Sequence, residues 1–338
     1  MYEQFRRKVD APALEPIVKR ANTIENDADL QADLAGLEEY CRRGGNRKKK
    51  RTALAPGTRK TWMANVRSVY RFMGGYIEYS DEYVRNLDAV LEDAVTGENH
   101  AIKRITQNTR IAYLTALQEL YRANWKSDYF IVKPETAGVD MTDPSKFHTM
   151  EEIKAIMDHV KTDTVFGIRD LAIISYAYYS ASRNNEIGHV RLNDYNPETG
   201  VVQIKPHDGW TTKSNNPRVV NLPPQCCKHV NRWLEVRREH GIAPDACELF
   251  VTANASPFDS FSLNSVIKKH SAHIGLDTYP HKLRHSRCSH LLNILNWPPT
   301  VVQLFMGHAR IETTMRYCHS TGKEQRMWMQ RTSKDDIQ

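Results

Sequence analysis

The chain reads His281-Lys-Leu-Arg284-His285, then Gly307-His308 and then Tyr317, and this order decides how its fold is interpreted. Upstream, Ser180-Ala-Ser-Arg183 supplies a second arginine, and Glu186 follows three residues later. Two guanidinium groups can bind the non-bridging oxygens of a phosphate, imidazoles can transfer protons, and a phenol can attack phosphorus. The pattern therefore indicates phosphodiester chemistry that needs no metal ion.

The order and spacing of these motifs resemble those of the tyrosine recombinase (phage integrase) family, nearest its simple Xer-like members. That family's pattern is an Arg followed by Glu or Asp, a Lys on a β-hairpin, H-x-L-R, G-H and a final Tyr. The resemblance covers residues 149–320 well, and over residues 27–133 only a helical layout can be compared. This chain departs from the pattern twice. Ser-Ala-Ser-Arg183 replaces the usual T-G-x-R, and Thr-Lys213-Ser-Asn-Asn-Pro-Arg lacks the glycine usual near the hairpin turn.

The resemblance implies which residues carry the reaction. Arg183 and Arg284 would bind the phosphate and neutralise the charge that grows in the transition state. Tyr317 would attack the phosphate, and Lys213 would protonate the leaving 5′ oxygen, with Lys205 as its rival. Seen alone, either arginine would more often be half of a salt bridge, and Tyr317 is one of 15 tyrosines. The order of the motifs therefore carries the assignment.

The histidines and Glu186 divide into site and supporting roles. His281 shares a helical face with the arginine three residues later, so it would transfer a proton at the nucleophile or donate a hydrogen bond to the phosphate. His308 would donate to a phosphate oxygen. Glu186 would orient the first arginine, and His285 is expected to be a buried structural hydrogen-bonding residue.

A zinc site is the competing interpretation of one segment, because His281, His285, Cys288 and His290 crowd together there. A zinc ion at this place would stand beside an arginine, which is electrostatically unfavourable. The chain contains no HExxH motif and no paired CxxC. We therefore expect no metal and no other cofactor.

Composition permits a polyanionic partner but does not require one. Lys and Arg number 47 against 40 Asp and Glu, which gives a net charge of +7 and a sequence pI of about 9.0. Six cysteines without a CxxC pair suit a reducing cytosol. No apolar run reaches the length of a membrane span, and the N-terminal residues lack the apolar region of a signal peptide. The expected location is the cytoplasm, at the nucleoid.

Hydrophobic periodicity predicts helices in the first half of the chain and a mixed second half. Leu30, Leu34 and Leu37 share one helical face, and three more amphipathic helices are predicted near residues 58–73, 81–95 and 107–124. Later, Thr149-Met-Glu-Glu152 forms a capping box. A very apolar helix over about 166–180 is expected to deliver Arg183 at its end, and two strands are expected around Lys213.

These signals predict five regions. They are a lead-in (1–26), a helical core-binding domain (27–133), a linker (134–147), a catalytic domain (148–321) and a C-terminal tail (322–338). The tail places Met327, Trp328 and Met329 in a row on a polar segment. Such a cluster is expected to dock on a neighbouring protomer, as the resemblance implies, or to cover the core of its own domain.

A basic run follows the first predicted helix, and it has three interpretations. It consists of Arg47, Lys48, Lys49, Lys50 and Arg51. A solvated loop and a nuclear-import signal are both open, and the import signal is the weaker of the two. A loop that contacts DNA phosphates is favoured once the motif at residues 281–317 is counted.

We therefore expect a mainly α protein with a small β-sheet, built as a two-domain clamp that breaks and rejoins DNA. The resemblance implies a site-specific recombinase or integrase that binds double-stranded DNA and forms a 3′-phosphotyrosyl intermediate and a Holliday junction. It also implies a homotetramer on paired recombination sites, with no membrane involvement. The alternatives are a type IB topoisomerase-like relaxing enzyme and a DNA-binding regulator with a vestigial site. The helical N-terminal half and the short tail favour the recombinase.

Overall fold

A computed structural model of the chain describes residues 23–24, 27–43, 54–93, 95–96, 103–124, 131, 133–134, 143–207, 210 and 217–318. Contacts between Cα atoms divide the chain into two compact units, Met1–Val139 and Asp140–Gln338. Across the described residues, no helix is both long and apolar enough to span a membrane. The finer boundaries of the predicted lead-in, linker and tail stay predictions.

The first unit is built from helices that each bury one apolar stripe. Its described residues form α1 (Asp27–Arg42), α2 (Pro56–Phe72), α3 (Asp81–Asp93) and α4 (Gln107–Asn124). Leu30, Leu34 and Leu37 of α1 are at most 4% exposed, because residues spaced by three and four share a helical face. They join one core with the buried leucines of α3 and α4. The four helices predicted from the periodicity are confirmed.

Two short ribbons in this unit were not predicted. Antiparallel pairs join β1 (Thr23–Ile24) to β2 (Ile77–Glu78), and β3 (Val95–Thr96) to β4 (Lys103–Arg104). A strand of two residues is too short to show the alternation by which strands are recognised in a sequence. The sequence therefore carries no signal for these pairings.

The second unit is mainly helical around one small hairpin. The helices that its described residues form are α5 (Met150–His159), α6 (Val165–Tyr179), α7 (Asn184–His189), α8 (Pro224–Glu239), α9 (Ser260–Ala272), α10 (Pro280–Ser289), α11 (Pro299–Met306) and α12 (Ile311–Met315). Strands β5 (Val201–Ile204) and β6 (Arg218–Asn221) pair antiparallel. The predicted capping box of α5 is confirmed, because Thr149 and Glu152 exchange side chain-to-backbone hydrogen bonds of 2.9 and 3.2 Å. The mainly α fold with a small sheet is confirmed.

Two apolar clusters position the elements of this unit. The larger one surrounds α6, which is apolar on nearly all sides and is therefore buried. The smaller one gathers residues from α10, α11 and the segments next to them: Ala181, Cys288, Leu291, Leu292, Val302, Met306 and Tyr317. This second cluster brings together the three segments that carry Arg183, His281 to His285, and Gly307 to Tyr317.

A π-helix of five residues, His290–Ile294, continues α10. Its wider turn is closed by a bond of 2.8 Å from the Leu295 N–H to the His290 carbonyl. Single π-turns of this kind occur within α-helices and are frequent at functional sites. Here the turn directs Asn293 toward the backbone of Tyr317.

Candidate active site

Arg183 lies just before α7, whereas the sequence had suggested a position at the end of the preceding helix. Helix α6 ends at Tyr179, and Ala181 then adopts a left-handed conformation with φ 48°. Arg183 itself is extended, with φ −72° and ψ 155°, and it caps α7. The periodicity could not reveal this left-handed turn, because alanine is a helix-forming residue and gives no turn signal. The family's usual glycine at this position would have marked it.

Arg284 is buried and bound by backbone carbonyls. It lies on α10 and is 2% exposed. Its Nη1 donates to the carbonyl of Ala181, and its Nη2 donates to the carbonyl of Met306 at 2.6 Å. Burial, followed by the charges of Arg183 and Arg218, lowers the pKa of this guanidinium to about 9. Three cationic groups are therefore concentrated in one part of the unit.

Arg183 and Arg284 meet at two consecutive peptide groups. The Arg183 Nη2 donates to the carbonyl of Gly307 at 3.0 Å, next to the Met306 carbonyl that Arg284 binds. Gly307 ends α11 with φ 65°, and a Cβ at this position would lie 3.1 Å from the Arg218 side chain. The left-handed backbone favours glycine here, and a side chain at this position would crowd Arg218. His308 follows directly.

Glu186 is the buried anion that balances these cations. Its carboxylate accepts from the Arg183 backbone N–H at 2.8 Å and from the Arg183 Nη1 at 2.9 Å. It also accepts two bonds from Arg218, at 3.1 and 2.6 Å. Burial opposes ionisation of Glu186, but the hydrogen bonds and charge of Arg218 outweigh it, so its pKa is lowered to about 2. The carboxylate stays charged at neutral pH.

Arg218 is a component of this network that the sequence analysis did not identify. It begins β6, where the alternation predicts a strand but says nothing of a buried charge. Besides its bonds to Glu186, its Nε donates to the carbonyl of Phe305 at 3.1 Å. No local signal could have found it, because its partners lie far away along the chain and are brought close by packing.

Tyr317 is nearly enclosed and is held at both ends. It follows α12 and is 5% exposed. Its hydroxyl is hydrogen-bonded to the Nδ1 of His285, and its carbonyl accepts from the Asn293 amide at 2.9 Å. Burial, with a smaller contribution from Cys288, raises the pKa of the Tyr317 phenol above its ordinary value. The phenol therefore does not ionise unaided at neutral pH.

His285 and His308 lie beside the tyrosine, and His281 packs against His285. His281 is exposed, and its ring packs edge-on against His285 with 4.5 Å between centroids. The His308 ring is nearly parallel to that of Tyr317 at 6.5 Å, and its Nδ1 is hydrogen-bonded to the Thr314 hydroxyl at 2.9 Å. Burial and the neighbouring cations lower the pKa of His308 to about 3 and that of His285 to about 4. Both rings are therefore neutral at pH 7.

Among the predicted hairpin lysines and the basic run of the first half, the structure describes only Lys205. Lys213 and the run Arg47–Arg51 lie outside the described residues. The rival Lys205 is engaged elsewhere, since its Nζ lies 3.3 Å from Asp194 and donates to Gln203 at 3.0 Å. The assignment of Lys213 as the general acid stays a prediction.

The residues of the competing zinc interpretation do not converge. His290 Nδ1 is hydrogen-bonded to the Tyr178 hydroxyl at 2.8 Å, and Cys288 lies in the apolar cluster. Among the residues that the structure describes, no three His, Cys, Asp or Glu side chains are grouped as metal ligands would be. Crowding along the sequence therefore does not become a ligand set in space.

The comparison with protein families agrees with this arrangement. Residues 146–324 match the model of the phage integrase family. The chain belongs to the phage integrase family. Tyrosine recombinase XerC of Staphylococcus epidermidis (strain RP62A) is 28% identical over 238 residues, which cover 68% of this chain and 75% of that protein. The recombinase resemblance inferred from the motifs is confirmed.

Solved structures of two recombinases share the fold of this family member. XerH bound to a palindromic difH substrate, in a post-cleavage complex, has a TM-score of 0.64 at 15% identity, covering 93% of this chain and 98% of that one. The Tn1549 transposon integrase in complex with circular intermediate DNA has a TM-score of 0.62 at 17% identity, covering 88% and 98%. The phage integrase family member described here is a tyrosine-type site-specific DNA recombinase, and neither alternative function is favoured.

Proposed function

We propose that this recombinase binds duplex DNA and cleaves it with Tyr317 as the nucleophile, while Arg183, Arg284 and His308 bind the scissile phosphate. The observation that carries the proposal is the meeting of both guanidinium groups at the carbonyls of Met306 and Gly307. This places two cations beside His308, whose ring faces that of Tyr317. A nucleophile and the groups that neutralise a phosphate are thus adjacent.

The reaction conserves bond energy without ATP. The Tyr317 oxygen attacks phosphorus, the bond to the 5′ oxygen breaks, and a 3′-phosphotyrosyl link forms. The two arginines neutralise charge on the non-bridging oxygens, and a site that excludes water strengthens this effect. Lys213 supplies the proton that the leaving 5′ oxygen needs, and His281 donates a hydrogen bond to the phosphate. A 5′-hydroxyl from the partner strand reverses the attack through a Holliday junction.

A nicked suicide substrate tests the nucleophile. Cleavage next to the nick releases a short fragment, so the covalent protein–DNA adduct accumulates. Tyr317→Phe should abolish the SDS-resistant adduct while leaving DNA binding nearly intact, because one hydroxyl is removed and the ring is kept. Tyr279→Phe, on an exposed tyrosine, is the matched control and should react normally. An adduct formed by Tyr317→Phe would show that another residue is the nucleophile.

Arg183→Ala separates transition-state binding from general phosphate binding. Removal of this guanidinium should slow cleavage by about 10²–10³, the scale of a missing oxyanion donor, while changing DNA affinity little. An equal decrease in rate and affinity would instead indicate that Arg183 binds phosphate in the ground state as tightly as in the transition state.

The recombinase should act as a homotetramer on two paired sites. One tyrosine per chain breaks one strand, so the exchange of two duplexes needs four protomers. An apolar cleft of about 580 Å³ between β6 and α11 supports an assembly surface. Its lining includes Leu304 and Val219, which are 74% and 61% exposed, together with Trp297 and Val301. Exposed apolar residues grouped in this way indicate a protein partner.

The tail from residue 322 onward, which lies outside the described residues, is the proposed occupant of that cleft on a neighbouring protomer. Truncation after Gly322 and Leu304→Asp should each leave a protein that binds one site but does not form the synaptic tetramer. Met150→Asp, at another exposed apolar position, is the control and should assemble normally. Sedimentation of the DNA complexes measures the outcome. Normal tetramers from both altered proteins would rule out this surface.

A further inference from the structure

The hydroxyl of Tyr317 is hydrogen-bonded to His285, the histidine to which the sequence analysis gave only a structural role. We propose that His285 is a catalytic residue that accepts the Tyr317 proton during cleavage and returns it during rejoining. This inference rests on the proposed role of Tyr317 as the nucleophile. It adds a residue that the family motif, with its H-x-L-R histidine at His281, does not single out.

The geometry of α10 separates the tasks of two neighbouring residues. Arg284 and His285 are adjacent, so their side chains diverge by about 100° around the helix axis. The guanidinium points to the carbonyls of Ala181 and Met306, whereas the imidazole points to Tyr317. One helical turn thus presents a phosphate-binding cation and a proton acceptor side by side.

The other two histidines are placed less favourably for this proton. His308 uses its Nδ1 for the Thr314 hydroxyl, and its ring centroid lies 6.5 Å from that of Tyr317, against 5.5 Å for His285. His281 is exposed, and its ring packs edge-on against the ring of His285. His285 is therefore the imidazole in direct contact with the reacting oxygen.

The protonation state of His285 suits an acceptor. It is partly buried, and it faces His281 and Arg284 from its own helix and His308 and Tyr317 from the C-terminal segment. Burial and the charges of His281 and Arg284 keep the imidazole neutral at pH 7, so its Nδ1 can accept from the Tyr317 hydroxyl when the proton is on Nε2. A bound phosphate brings negative charge next to the ring and raises its basicity. The acceptor therefore becomes stronger when substrate is in place.

Asn293 adds support from the π-helix. Its amide donates to the Tyr317 carbonyl at 2.9 Å and to the Ser289 hydroxyl at 3.1 Å. The backbone of the tyrosine is thereby tied to the same helical segment that carries His285. The donor and the acceptor of the proton are thus held by one continuous element.

The proton and the electrons balance in each direction. In cleavage the proton moves from the Tyr317 oxygen to His285 Nδ1, the oxygen forms a bond to phosphorus, and the 5′ oxygen leaves with its electron pair and takes a proton from Lys213. In rejoining a 5′-hydroxyl returns its proton to Lys213 and attacks phosphorus, the phosphorus–tyrosine bond breaks, and the phenolate recovers the proton from the imidazolium. Neither step consumes a co-reactant.

The test compares His285→Ala and His285→Gln in single-turnover cleavage of the nicked suicide substrate at saturating protein. Glutamine keeps a polar side chain but cannot accept a proton. Comparison of the two variants therefore distinguishes loss of the proton acceptor from loss of packing. Both should bind DNA normally and cleave more slowly by about 10²–10⁴, the usual range for general acid–base catalysis. His240→Gln, on an exposed histidine at the end of α8, is the control and should cleave at the wild-type rate.

Two chemical substitutions identify the step at which His285 acts. Replacing Tyr317 with 2,3-difluorotyrosine lowers the pKa of the phenol. The gap in cleavage rate between the His285 variants and the wild type should therefore narrow at least tenfold. A substrate with sulfur at the bridging 5′ position has a leaving group that needs no proton, and it should not narrow the gap.

The proposal is overturned if the variants cleave at the wild-type rate, or if fluorotyrosine leaves the gap unchanged. It is also overturned if the sulfur substrate closes the gap, because His285 would then serve the leaving group. These results are distinct from a failure of the proposed function, which an adduct formed by Tyr317→Phe would reveal.

Discussion

Glu186 binds Arg218 through both carboxylate oxygens, at 3.1 and 2.6 Å, and both side chains are less than a tenth exposed. Because Glu186 also accepts from Arg183, a single buried carboxylate orients two guanidinium groups. The pair joins α7 to β6. In the sequence, α7 comes before the hairpin segment that contains Lys213, and β6 comes after it. It therefore links the phosphate-binding arginine to the base of that hairpin.

Breaking this ion pair should destabilise the protein strongly. Arg218→Ala leaves a buried carboxylate with one cationic partner fewer, which should lower the free energy of unfolding by about 3–5 kcal/mol. Arg232→Ala is the control, because its pair with Glu235 at 3.1 Å is half exposed and is worth about 0–1 kcal/mol. Urea denaturation measures both. Similar destabilisation of the two variants would contradict the buried-pair assignment.

Ala181→Gly should stabilise the protein. A left-handed backbone costs an L residue about 1–2 kcal/mol, whereas removal of one buried methyl group costs about 0.8 kcal/mol. Relief of strain wins, so the free energy of unfolding should rise by up to about 1 kcal/mol. Ala177→Gly inside α6 removes a buried methyl group without relieving strain, so it should destabilise. Equal destabilisation by both changes would show that Ala181 is not strained.

His285 and His308 should remain neutral well below the usual range of histidine. Histidine ring signals in NMR should titrate near pH 4 and pH 3, against about 6.5 for an exposed histidine. A folded pKa below the unfolded one means that the unfolded chain binds more protons, so stability falls as pH drops from about 6.5 toward 4. His285→Asn should flatten that fall in urea midpoints. Titration of either ring near pH 6.5 would contradict its burial among cations.

Strand cleavage should continue in EDTA. The charge of the phosphate is to be met by Arg183, Arg284 and His308, so a chelator removes nothing that the reaction needs. A magnesium-dependent nuclease in the same buffer provides the control and should stop. Cleavage that ceases with EDTA and returns with zinc or magnesium would revive a metal-dependent mechanism.

Replacement of Lys48, Lys49 and Lys50 by Ala should weaken DNA binding similarly for all sequences. Each DNA phosphate that no longer binds a lysine should reduce the slope of log affinity against log salt by roughly 0.9, because fewer counterions are released. Filter binding across a range of salt concentrations measures the slope. An unchanged slope would indicate that the basic run is a solvated loop that does not contact DNA phosphates.

Much of the fold followed from local patterns. Leu30, Leu34 and Leu37 lie on one helical face wherever the helix packs, and the capping box at Thr149 and Glu152 needs contacts only three residues apart. The left-handed turn at Ala181 was missed because alanine carries no turn signal, although the family's usual glycine would have supplied one.

The sequence by itself determined the family, the mainly helical fold and the order and spacing of the candidate site residues, because these are local properties of the chain. The tertiary structure decided which of them touch. Arg218 reaches Glu186, His285 rather than His281 reaches the Tyr317 hydroxyl, and Lys205 pairs with Asp194. Such pairs depend on how α7, β6, α10 and the C-terminal segment pack together. Periodicity can place a side chain on a face, but only packing brings to that face a partner from a distant segment.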